Sequence, residues 1–120
     1  MKTIQLDREV LQNLYGDSQD SMIEIFSEFL TGYYEIKQTL NSAFESGNLS
    51  SLKRVLHFHG PSFMYLGLPD VALMFKTLEQ KCTQVVAHFS LSKEFAELMQ
   101  TVEGSWLETK NEMQFLKKAV

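Results

Sequence analysis

A chain of 120 residues and 13.8 kDa is one domain's worth, which excludes two-domain enzyme architectures and leads us to treat residues 1–120 as a single domain. Hydrophobic residues at 44% and charged residues at 22% give the balance of a globular protein rather than a disordered tail. The net charge of -4 argues against nucleic acid as the main partner, because phosphate contacts need a basic surface.

One cysteine, Cys82, excludes an intramolecular disulfide framework and a Cys-rich zinc site. Only two prolines and six glycines leave few breaks, so the elements should be long. The first residues carry no apolar core of a leader, and no apolar run approaches the length of a membrane span. The expectation is a cytoplasmic protein with no membrane partner.

In chain order, Asp7 is a plausible N-cap for a short stripe of Leu11, Leu14 and Tyr15, which Gly16-Asp17 ends. A long amphipathic stretch follows from Met22 to Phe44, with Phe26, Phe29, Tyr33 and Phe44 read as core aromatics. It stops at Ser46-Gly47-Asn48, where Gly47 suits a left-handed C-cap and Asn48 the next N-cap. A third helix is predicted from Leu49 to about Leu66. Gly67 ends it, and Pro69 suits the first turn of a fourth helix that runs to near Ser90. Ser92 is expected to cap a fifth, carrying Phe95, Leu98, Val102, Trp106, Met113 and Phe115. Trp106, near Gly104, is expected where two helices approach, and the acidic residues of the first and last helices read as solvated faces. With no strand alternation and short loops, the fold class is all-α: an antiparallel up-down four-helix bundle with an additional short N-terminal helix.

Two of the three histidines, His57 and His59, share the third segment. On a helical wheel with Leu52 at zero, Leu56, Phe63, Leu66 and Val55 define a buried face, and His59 falls inside it near ~340°. That position suits a mostly buried histidine held by a hydrogen bond. His57 falls near ~140°, almost opposite the seam, and is predicted to be exposed on a face shared with Lys53, Gly60, Pro61 and Met64. Glycine and proline are poor choices inside a helix. Here Gly60 removes bulk beside the imidazole, and Pro61 cannot donate to the His57 carbonyl. An accessible neutral imidazole, titrating near ~6.5, is a competent nucleophile at neutral pH.

The run His57-Phe58-His59-Gly60-Pro61-Ser62-Phe63-Met64-Tyr65-Leu66-Gly67-Leu68 resembles the signature of histidine-containing phosphotransfer (HPt) domains, in a proline-bearing form. The glycine ten residues after the histidine, the polar lead-in Ser46-Gly47-Asn48-Leu49-Ser50-Ser51-Leu52 and the Leu78-Glu79 pair carry the likeness further. Two positions depart from the pattern. Gly60 stands where the family usually has lysine, and His59 stands at an apolar position. Lys53 and Arg54, one turn earlier, are the candidates to supply the missing charge. A lysine placed at Gly60 is expected to support a phosphoryl group and to favour the helix by up to ~1 kcal/mol.

The resemblance implies a phosphorelay intermediate without kinase activity of its own. His57 would accept a phosphoryl group from the aspartate of a hybrid sensor kinase's receiver domain and pass it to the receiver of a response regulator. The chain would need no cofactor, the Mg²⁺ belonging to the partner receiver, and would act as a monomer. Docking is expected on the face around His57, through Lys53, Arg54, Gly60, Pro61 and Met64 with Phe58 at its edge, because receivers present apolar contacts ringed by acidic groups. The main rival is a protein-binding bundle that docks receivers without phosphotransfer. A di-iron bundle would need Glu-x-x-His pairs on two helices, and none occurs. Cys82, in an apolar stripe, reads as a packed thiol.

Overall fold

Asp7 opens the first helix: its carboxylate accepts from the amides of Glu9 and Val10, which would otherwise lack partners. The computed structural model describes residues 4–118, and among these no strand occurs. Helices α1 (Arg8–Tyr15), α2 (Gln19–Glu45), α3 (Leu49–His59), α4 (Ser62–Tyr65), α5 (Pro69–Lys81) and α6 (Ser92–Lys118) follow one another. A 3-10 turn over His88–Leu91 leads directly into α6. No described helix is long and apolar enough to cross a membrane.

Two glycines fix how the chain turns. Gly47 has φ 74, a left-handed conformation, and ends α2 just before Asn48 caps α3 by accepting from the Ser51 amide. Gly67 has φ 76, and the place its Cβ would take is filled by the side chain of Leu11, 2.7 Å away. The Gly67 carbonyl also accepts from the Asp7 amide at 2.7 Å. Glycine at 67 therefore makes the turn and seats the start of α1 against it.

Packing joins α2 to α6 and to α3, α3 to α5, and α5 to α6. The largest fully buried side chains include Phe26, Leu40, Leu56, Phe63, Phe75 and Val102. Phe63 of α4 links the layers. It meets Phe29 edge-on at 5.4 Å and stacks on Phe75 at 4.8 Å. At the other end Phe44 of α2 stacks on Phe95 of α6 at 4.3 Å. Of the four aromatics expected in the core, Phe26 and Phe29 are buried, while Tyr33 and Phe44 are partly buried and pack against it. Trp106 does lie between helices, stacked on Tyr33, but Gly104 makes room for Ile4 of the N-terminal segment rather than for a helix.

Several expected boundaries are corrected. The third helix does not run to Leu66. It breaks at Gly60-Pro61, because Pro61 has no N–H for the His57 carbonyl and the amides of Phe63 and Met64 turn back to the Gly60 and Pro61 carbonyls. The fourth ends at Lys81 rather than near Ser90. The Thr83 hydroxyl bonds the Gln80 carbonyl, and the β-branched pair Val85-Val86 follows in non-helical chain. Ser92 is not a cap: its hydroxyl donates to the Phe89 carbonyl and α6 grows out of the 3-10 turn. Leu14 and Phe115, counted into apolar stripes, are exposed.

The acidic residues of the last helix are not all solvated. Glu112 is buried, and its two carboxylate oxygens accept from the terminal Nη1 and Nη2 of Arg8 at 2.5 and 2.7 Å. The hydrogen bond to Glu112 raises the Arg8 pKa above its ordinary value, against the smaller opposing cost of burial. The fork geometry ties α1 to the far end of α6. Arg8→Ala leaves a buried carboxylate without its partner and should cost about 1–3 kcal/mol in chemical denaturation. Adding Glu112→Gln in the same background should recover part of that loss.

Candidate functional site

Helices α3 and α5 are joined through the tight turn at Gly67, so they run antiparallel and side by side. Gly60 is buried between them. A Cβ there would lie 2.9 Å from the Cβ of Phe75, an atom close to the backbone that cannot swing away. This overturns the expectation that Gly60 faces outward with space for a long side chain. Glycine is required by the approach of the two helices, not by bulk around the imidazole. Gly60→Ala should therefore destabilise the protein. Overpacking costs about 1–3 kcal/mol and outweighs the helix-propensity gain of up to ~1 kcal/mol. A thermal or denaturant melt checks it, and Gly60→Lys should fare no better.

One turn before this contact, His57 projects from α3 with 77% of its side chain exposed. Its Nδ1 lies 3.2 Å from both carboxylate oxygens of Glu79, which is only 20% exposed. A carboxylate can only accept, so in the neutral ring Nδ1 carries the proton and Nε2 keeps its lone pair. Glu79, half held by its surroundings on α5, thereby sets the ring's tautomer and direction. Among the described residues Nε2 has no hydrogen-bond partner.

Beside the ring an open groove of about 480 Å³ runs between α3–α4 and α5. Leu56, Gly60, Pro61 and Met64 line it from α3–α4 and Ala72, Leu73 and Phe75 from α5, together with the polar side chains of His57, Lys76 and Glu79. Of the residues singled out from sequence, the fold brings His57, Gly60, Pro61 and Met64 together here. Lys53 and Arg54 are exposed but do not line the groove. Phe58, 75% exposed, also lies outside it, with its ring against the edge of His59 at 4.9 Å.

Lys76, Leu73 and the hydrogen-bonding role of Glu79 were not foreseen. The available signal was the spacing of Lys76 and Glu79, three apart and so on one face of α5, combined with a turn short enough to lay that face against α3.

His59 is half-buried rather than part of the core, and no hydrogen bond holds it among the described residues. Phe63 and Leu66, on the face predicted for it, are buried as expected. Burial still lowers the His59 pKa below the ordinary 6.5, with Glu35 opposing. The unfolded chain then binds the proton more readily than the folded one just below pH 6.5. Stability should rise with pH through that window and fall as acid protonates His59. Replacing His59 with Gln should flatten this part of the pH–stability curve.

His88 packs edge-on to Phe44 at 5.2 Å and lies over Gly47, far along the chain from His57. Burial pushes the Cys82 thiol up, the Glu79 charge adds to the effect and Lys53 opposes it. Among the described residues no three His, Cys, Asp or Glu side chains gather as a metal-binding group. No family model matches the chain, and neither a curated protein nor a solved structure matches it.

Proposed function

We propose that this chain is a histidine phosphotransfer domain built as an antiparallel four-helix bundle with a short N-terminal helix. In this reading it accepts a phosphoryl group on His57 from a receiver-domain aspartate and passes it to a second receiver. The observation that carries the reading is the exposed His57 ring, held through Nδ1 by Glu79 and leaving Nε2 open beside an apolar groove. The motif from His57 to Leu68 supports it from sequence.

The chemistry is positioning. The Nε2 lone pair attacks the phosphorus in line, and the P–O bond to the receiver's aspartate breaks with its electron pair leaving on the carboxylate. The Nδ1 proton stays on the ring, and Glu79 offsets the positive charge the ring gains as the N–P bond forms. Transfer onward is the same step in reverse with a different aspartate. Mg²⁺ belongs to the receiver's acidic site. Met64 and Leu73 offer the receiver apolar contact, and Lys53 and Arg54 on the outer surface of α3 complement its acidic rim. A cytoplasmic location is part of the same proposal.

One observation favours a docking bundle without transfer: Gly60 denies the site the usual lysine. The two readings separate in one experiment. Wild type and His57→Gln are incubated with phosphorylated receiver domains and, in parallel, with phosphoramidate. Acid-labile, base-stable phosphate should form on wild type and be lost in His57→Gln. Equal labelling of both proteins, or no label on wild type from either donor, would overturn phosphotransfer at His57.

A further inference from the structure

Position 60, three residues after His57, cannot carry a cation because Phe75 occupies the space. The residue after Phe75 on α5 is Lys76. It is exposed and lines the groove together with His57, Gly60 and Pro61. The facing pairs His57–Glu79 and Gly60–Phe75 define an antiparallel register, and in it Lys76 comes abreast of the turn from His57 to Gly60. Lys76 is also one helical turn from Glu79 on the same face of α5. Among the residues lining the groove it is the single lysine or arginine.

The site has need of such a charge. A phosphoryl group arrives with negative oxygens, and Glu79 already places a carboxylate against the same ring. Without a nearby cation the two would repel. Lys53 and Arg54 lie off the groove.

Resting on the phosphotransfer reading above, we infer that Lys76 supplies from α5 the positive charge that receives the phosphoryl oxygens at His57, in place of the lysine that α3 cannot hold. Lys76 makes and breaks no covalent bond. It stabilises charge on the oxygens while the bond to Nε2 forms.

The test uses the full chain and phosphoramidate, a donor that needs no docking: its P–N bond breaks, ammonia leaves and the phosphoryl group passes to His57. Lys76→Gln should slow labelling of His57 roughly tenfold, a modest loss because the site is open to solvent. Lys76→Glu should be slower still, and Lys76→Arg should stay within about twofold of wild type, since it keeps the charge. The differences should shrink at high salt, which screens exposed charges. Lys93→Gln, on the first turn of α6 and away from the groove, should leave the rate unchanged. If Lys76→Gln and Lys76→Glu match wild type while His57→Gln blocks labelling, the role of Lys76 is overturned and phosphotransfer stands. If wild type takes no phosphate on His57 from phosphoramidate or from a phosphorylated receiver, the phosphotransfer reading fails and this inference falls with it.

Discussion

The contact between Gly60 and Phe75 sets the geometry of everything near His57. With no side chain at 60, α3 and α5 approach until the Phe75 side chain fills the gap, and this closeness locks one helix against the other. A shift of either helix along its axis would drive Phe75 into α3 backbone or open a void. The same register delivers Glu79 to the Nδ1 of His57 and brings Lys76 alongside the turn beyond it. Pro61, directly after the contact, stops α3 from continuing and lets Phe63 fold back onto Phe29 and Phe75. The break in the helix is thus an outcome of how the core is filled as well as of proline's missing amide.

The polar groups around His57 contribute little to stability where they stand. A pair as exposed as His57 and Glu79 gives at most about 1 kcal/mol, because water screens it. Their value under the proposed function lies in direction and in what a partner would change. A receiver seated on the groove would displace water from around the ring, and the same charges would then act across a lower dielectric. The apolar walls make that displacement favourable, whereas the free protein leaves them wet.

The helical character was readable because the apolar spacing is regular and the caps are chemically explicit: Asp7, Asn48, Gly47 and Gly67 each sit where the sequence places them. Exposure of His57 was readable for the same reason, since a wheel needs only a regular helix up to that residue. The wheel failed immediately beyond it. Gly60 was assigned an outward face and His59 an inward one, but the faces that α5 and the other helices cover are not written in the wheel of α3 alone. Glu79 and Lys76 could be placed only once the partner helix and its register were known, which depends on the Phe75 contact and not on any local pattern. The burial of Glu112 was hidden in the same way: its partner Arg8 lies more than a hundred residues away.

The clasp between Arg8 and Glu112 also says something about how this unit can be wired into a longer protein. It holds the start of α1 beside Glu112, while the segment before it runs back along α6 to Ile4 at Gly104, so segments joined to the two sides would leave from points roughly 20 Å apart along α6. Such a domain would sit in a host chain between two separate attachment points, both on α6's side of the fold, without separating α3 from α5. The arrangement is modular: the histidine face travels as one piece.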